Sequence, residues 1–142
     1  MSKVAVVYWS GTGNTEAMAS AVVDGVREGG AKAELFTASE FDASMLSSFD
    51  AVAFGCPSMG SEQLEDSEFE PMFNSCESDL GGKKIALFGS YGWGDGEWMR
   101  EWAERVKKDG AVLVNDEGLI VNEAPDDAAL ADCKALGAKL IG

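Results

Sequence analysis

Five strand-length apolar runs alternate with helix-period segments along this 142-residue chain, and that alternation limits the fold more than any other feature. The runs are "KVAVVYW" (3–9), "AELFT" (33–37), "DAVAFGC" (50–56), "KKIALFGS" (83–90) and "AVLVN" (111–115). A short "GLIVN" (118–122) continues or repairs the fifth after the "DEG" interruption. The third and fourth are continuously apolar, as strands covered on both faces are. Between them, Met18, Val22 and Val26 step by four on a helix ending at Gly29-Gly30. "EFEPMFNSCESDL" predicts a second, weaker helix interrupted by Pro71. "GEWMREWAERVKKDG" predicts a third, acidic at its start and basic at its end, and "DDAALADCKALGAKLI" a fourth. The expectation is one α/β domain over residues 1–142, with three layers: a five-stranded parallel sheet in the order 2-1-3-4-5, helices on both faces.

Ligands of such sheets bind outside the carboxyl ends of the strands. Here those ends carry "SGTGNT", "CPSMGSE", "SYGWGDGEW" and the segment after residue 115, three of them rich in glycine and small polar residues. In the first, Ser10, Thr12, Asn14 and Thr15 surround a helix N-terminus while Gly11 and Gly13 let the backbone come close. Free N–H groups and a partial positive charge make that an anion cradle, most naturally for a phosphate. The plainer reading is a strand-to-helix turn capped by Asn14 or Thr15. Other phosphate loops fit poorly. A Walker loop needs a lysine after its second glycine, and the dinucleotide fingerprint needs a glycine where this chain has Glu16. Receiver domains and low-molecular-weight phosphatases require acids or a cysteine–arginine frame that these positions lack.

The other two loops suit a flat ring. Trp93, between Gly92 and Gly94, is placed as a stacking lid, whereas Trp98 and Trp102, four apart on the next helix, are core residues. Pro57, Met59, Gly60 and Glu62 form a turn in which the thioether can cover a ring and the carboxylate can accept from a ring N–H.

Composition removes competing chemistry. There is no histidine, so the commonest general base, nucleophile partner and metal ligand is missing. Cys56, Cys76 and Cys133 form no CxxC pair and are read as buried apolar side chains. A net charge of −14 repels nucleic acid and anionic lipid, and the stretch between Lys32 and Lys83 holds 11 carboxylates without one basic residue. That stretch reads plainly as a solvated acidic face and more sharply as a docking surface for basic protein partners, two readings that are compatible. No run approaches the ~20 apolar residues of a membrane span, and the first strand is too short and wrongly flanked for a secretory signal. The expectation is a cytoplasmic monomer, with no membrane or nucleic-acid partner.

Taken together, "YWSGTGNTEAMA", "GCPSMGSE", "EFEP", "GKK-ALFGSYGWGDGEWM" and "LIVNEAPD" resemble the short-chain flavodoxins of anaerobic bacteria over essentially the whole chain. The fifth strand lacks the ~20-residue insertion of long-chain members. The resemblance implies a flavodoxin-like fold and noncovalent FMN. It implies a low-potential one-electron carrier cycling between quinone, neutral semiquinone and anionic hydroquinone, rather than an enzyme, and one that replaces ferredoxin when iron is scarce. Its partners would be ferredoxin-type reductases and acceptors. Ser10, Gly11, Thr12, Gly13, Asn14 and Thr15 would bind the phosphate. Met59 would flank the inner ring face and Trp93 the outer, Tyr91 and Gly92 would meet the pyrimidine edge, and Glu62 would accept from N3-H. Pro57, Ser58, Gly60, Ser61, Ser90 and Gly94 complete the cofactor set, with no catalytic or metal residue; Ser61 stands where several relatives have an acid or amide.

Gly60 is the expected switch: a flipped Gly60-Ser61 peptide can offer its carbonyl to a proton on flavin N5, and glycine makes the positive φ cheap. A hydrogen bond worth about 1–1.5 kcal/mol is roughly 45–65 mV for one electron. Distant charge matters less. A carboxylate ~12 Å away contributes about 0.35 kcal/mol in water, reduced to about 0.1 by screening, so ten give only about 1 kcal/mol. Two readings compete: an FMN-dependent NAD(P)H:quinone reductase on the same fold, and a non-redox module holding another phosphoester.

Overall fold

The computed structural model describes residues 3–11, 13–59, 63–92, 94–115 and 118–141. Its sheet runs β2-β1-β3-β4-β5, built from β1 (Lys3–Tyr8), β2 (Lys32–Thr37), β3 (Ala51–Gly55), β4 (Lys84–Tyr91) and β5 (Val112–Leu113), with β6 (Leu119–Asn122) also pairing β4. Every named pairing is parallel. This is the expected order, reached because the chain turns back after β2 and crosses β1 to start β3.

The fifth edge strand is two pieces laid along one neighbour. β5 pairs with Lys84 and Ile85, and β6 with Phe88 to Tyr91. Between them the side chain of Asn115 stands in for backbone. Its amide donates to Leu87 O at 2.9 Å and its oxygen accepts from Leu87 N at 3.3 Å, so the gap leaves those strand groups satisfied. The five-residue run "AVLVN" therefore yields only a two-residue strand.

Four helices of the described residues cover the sheet: α1 (Asn14–Glu28), α2 (Phe69–Cys76), α3 (Glu97–Lys108) and α4 (Asp127–Lys139). Pro71 does not interrupt α2. It lies in the first turn, where an N–H has no intrahelical partner to lose, so the helix starts through it. Short 3-10 turns, Ala38–Glu40 and Ala43–Ser48, fill a stretch whose sequence carried no helical period.

Alternation along each strand sends side chains to opposite faces. Val7, Val52, Phe54, Ile85 and Leu87 face α2 and α3, whose contribution includes Phe69, Phe73, Trp98 and Trp102. Val4, Val6, Ala53, Ala86 and Phe88 face α1 and α4, which supply Met18, Val22, Val26, Cys133 and Leu136. Trp98 and Trp102 are core residues, each 2% exposed, as their spacing predicts. No helix among the described residues is long and apolar enough to cross a membrane.

Candidate functional site

At the carboxyl end of the sheet the chain leaves β1 toward one edge and leaves β3 toward the other, which opens a cleft between the two departing loops. Its volume is about 600 Å³, and it is lined by Gly11, Asn14, Pro57, Ser58, Met59, Ser90, Tyr91, Gly92, Glu123 and Ala124. Members of all three predicted loops therefore meet in one place. A larger concavity, about 740 Å³ around Ser44, Asp50, Asp79 and Lys83, lies away from these loops. It lacks the cleft's pairing of an apolar floor with a helix N-terminus, so the cleft is the better ligand site.

The loop after β1 forms one end. Gly13 caps α1 at φ +94°, a left-handed conformation natural to glycine, and no side chain caps the helix behind it. The first-turn N–H groups thus keep their capacity for an anion. Ser10 Oγ accepts from Gly13 N at 3.0 Å, which holds the loop closed and leaves the hydroxyl proton free to donate. Thr15 is placed differently from Ser10 and Asn14. The residue is 1% exposed, and its Oγ1 lies 2.8 Å from Oγ of Ser90, a residue only 4% exposed. That buried bond ties the start of α1 to β4.

The loop after β3 forms the floor. Ser58 N donates to Ser90 O at 3.0 Å, extending the β3–β4 pairing into the cleft. Met59 and Gln63 exchange two backbone bonds of 2.8 and 2.9 Å. Beyond this pair, Glu65 is 5% exposed. Its carboxylate accepts from Ser67 N, Glu68 N and Phe69 N, each at 2.8 Å, and from the Ser67 hydroxyl. Burial alone would raise this carboxyl, but the Ser67 hydroxyl and the three N–H groups outweigh it and hold Glu65 below the usual carboxylate range. Glu65 thereby caps α2 and anchors the loop from behind.

Cys56 is buried beneath the floor, its sulfur accepting from Glu65 N at 3.4 Å. Burial pushes all three thiols up, Cys76 to about 11 and Cys133 to about 12, so none is a ready nucleophile. Trp98 donates its indole N–H to Cys56 O at 3.2 Å, and its ring sits 5.5 Å from that of Tyr91. The core tryptophan thus supports two cleft loops at once.

Tyr91 and Gly92 line the cleft, whereas Gly94 lies beyond it on the turn into α3. Thr12, Gly60, Ser61, Glu62 and Trp93 lie outside the described residues. The sequence reading named the segment after residue 115 as a loop but assigned it no contact, and the structure makes it the fourth wall. Glu123 N donates to Tyr91 O at 2.7 Å, and Asn122 Nδ2 reaches the same oxygen at 3.3 Å. Glu123 makes this turn at φ +59°, alone among the described non-glycine residues in being left-handed. Such strain gathers at ligand sites, yet nothing in the letters "NEAPD" announces it.

The cleft therefore pairs a neutral anion cradle, the Asn14 amide and the N–H groups at the start of α1, with an apolar floor of Pro57, Met59 and Tyr91. Among the described residues, no lysine or arginine lines it. That donor set fits a planar ring with a phosphate tail, which is what FMN offers.

A doubly wound α/β protein with its site at the switch point is one class with many chemistries. Comparison with known proteins narrows it. The flavodoxin family profile matches residues 6–137. The flavodoxin of Megasphaera elsdenii is 48% identical over 134 residues, 94% of this chain and 95% of that one. The flavodoxin of Clostridium beijerinckii is 46% identical over 135 residues, 95% and 96% of the two chains. The solution structure of two-electron reduced Megasphaera elsdenii flavodoxin superposes with a TM-score of 0.88, covering 96% of this chain and 97% of that one. The chain belongs to the flavodoxin family, whose members bind FMN and carry electrons between redox partners rather than turn over a substrate.

Proposed function

We propose that this chain is a cytoplasmic, monomeric, low-potential carrier of single electrons, with FMN held noncovalently in the switch-point cleft. The observation that carries this reading is the convergence of Asn14 from the start of α1, Met59 from the loop after β3, and Ser90 and Tyr91 from the end of β4, on one cleft with an uncapped helix N-terminus at its end. When bound, the flavin supplies one-electron steps among its three oxidation levels.

The protein's own part is to hold, orient and insulate. The first-turn N–H groups of α1, the Ser10 and Thr12 hydroxyls and the Asn14 amide take the phosphate. Met59 covers one ring face and Trp93 the other, while the backbone of Tyr91 and Gly92 meets the pyrimidine edge and Glu62 accepts a ring N–H. The carbonyl of the Gly60-Ser61 peptide would accept a hydrogen bond from an N–H at flavin N5. A cleft without a basic lining residue offers nothing to neutralise charge arriving with a second electron, which keeps the potential low. The lysine-free stretch 33–82 provides the acidic surface on which basic faces of reductases and acceptors dock.

The visible spectrum of the purified protein during stepwise reduction tests this. A yellow protein that takes up electrons one at a time and prefers FMN to riboflavin by orders of magnitude is the expected result. A colourless protein indifferent to added FMN, or equal affinity for the two flavins, overturns it.

A further inference from the structure

A second cavity, about 440 Å³, lies on the other side of the phosphate loop, above the ends of β1 and β2. Ser10, Gly11 and Gly13 form the wall it shares with the loop, and Gly11 lines both cavities. Its remaining lining includes Tyr8, Glu16, Thr37, Ser39 and Glu68, with no lysine or arginine among the described residues. The Tyr8 phenol, 8% exposed, donates to Glu16 Oε2 at 2.9 Å and so holds that carboxylate at the cavity. Burial first, then Glu16 and Glu40, push the Tyr8 hydroxyl above its ordinary range, so it stays a donor to Glu16. Glu40 adds a third carboxylate near the rim, held by Thr37 N at 2.8 Å.

If the phosphate of a mononucleotide sits on the loop, as proposed above, the nearest room for anything esterified beyond it is this second cavity. A dinucleotide would send its second phosphate there, followed by a nucleoside. The volume is no obstacle, since ligand pockets of this size hold whole small molecules. The obstacle is charge. A second phosphate would lie among carboxylates with no cation to balance them.

We propose that Glu16 and Glu68, facing the far side of the phosphate loop, make this site selective for the flavin mononucleotide by repelling the second phosphate of the dinucleotide. Glu16 has a second, local reason to be present, as a carboxylate in the first turn of α1. That reason does not fix its direction; the bond from Tyr8 does.

An equilibrium competition tests it. The full-length chain is incubated with FMN, FAD and riboflavin together, and the bound flavins are extracted and resolved by chromatography. The wild-type chain should hold mostly FMN. In Glu16→Gln/Glu68→Gln the bound FAD-to-FMN ratio should rise about tenfold, the scale two like-charge pairs a few ångströms apart in water supply. Added salt should narrow the gap between wild type and variant. Ser39→Lys, which leaves the Tyr8–Glu16 bond in place, should raise the same ratio by putting a cation in the cavity. An FAD-to-FMN ratio that does not move in either variant, or falls, overturns the proposal. Riboflavin competing equally with FMN in the wild-type chain instead overturns the phosphate assignment beneath it, so the two failures are told apart.

Discussion

The two faces of the sheet are covered in opposite ways. On one, α2 and α3 pack through rings: Phe54 and Phe73 centroids are 5.0 Å apart, Phe69 and Trp102 5.4 Å, Phe73 and Trp102 5.6 Å. On the other, α1 and α4 press backbone to backbone. A Cβ built on Gly25 would stand 2.0 Å from Lys134 O, and one on Gly137 2.3 Å from Val22 O. The ring-packed face is filled by volume, and the glycine face is closed by its absence. Each supplies a different part of the site: the floor and far loops lead into α2 and α3, and the phosphate loop leads into α1.

Emptying the ring-packed face should produce the largest effect. Phe73→Ala removes a fully buried ring that also lies beneath the Arg105 guanidinium, 4.9 Å from its centroid. The expected loss is about 3–5 kcal/mol in chemical denaturation. A loss below ~1 kcal/mol would mean that the neighbouring rings close the space and the contrast between faces is false.

Adding a methyl to the other face comes next. Gly25→Ala should cost about 1–3 kcal/mol from overpacking, despite the roughly 1 kcal/mol by which alanine favours a helix interior. A thermal midpoint at or above wild type would show that α1 and α4 separate freely, breaking the comparison from the glycine side.

At the site, the glycine face is tied to the sheet by the Thr15–Ser90 bond. Thr15→Val keeps shape but leaves the Ser90 hydroxyl buried alone, at a cost of about 1–3 kcal/mol. FMN affinity should fall with stability, because the bond sets α1 against β4 at the cleft. Calorimetric titration with FMN checks this, and unchanged affinity would confine the bond to the core.

The smallest effect depends on pH. Arg105 pairs with Glu70 at 2.6 and 2.7 Å and with Glu77 at 2.6 and 2.9 Å, stapling α3 to α2 and the turn after it. Asp109 stands beside this staple, and its Oδ2 is buried without a partner. Burial first, then Glu77, push the Asp109 carboxyl up to about 6, whereas the Arg105 hydrogen bond holds Glu77 low. The two carboxyls can hydrogen-bond only when one holds a proton. A folded pKa above the unfolded value means that ionised Asp109 destabilises the fold, and this penalty is relieved as pH falls from about 6 toward 4. Stability should therefore rise over that window before Glu65 and Glu77, held low, begin to cost stability below it. Asp109→Asn should stabilise at pH 7 by the order of 1 kcal/mol, discounted for partial exposure, and remove the rise. Denaturation midpoints at pH 7 and 5 that move in parallel for wild type and variant would refute this.

Much of this molecule was legible because periodicity and turn chemistry are local. Alternating runs announced the strands and their order, the steps of four announced α1, and three glycine-rich loops announced the cleft. The misreading came where a local signal has two meanings. Pro71 breaks a helix interior but is tolerated in a first turn, and only the position of the start, set by Glu65, decides which applies. Thr15 shows the other limit: its letter does not say that, at the second helical position, its hydroxyl meets Ser90 across the cleft end.

By itself, the sequence determined the layers, the strand order, the family and the neutral character of the phosphate loop, since those follow from residue type at short spacing. Tertiary structure alone decided that Asn115 would complete a broken strand, that Glu123 would close the cleft from a strained turn, and that Arg105 would gather Glu70 and Glu77 from 35 and 28 residues away. Each depends on two segments brought within a few ångströms by burial elsewhere, a distance that no local pattern encodes.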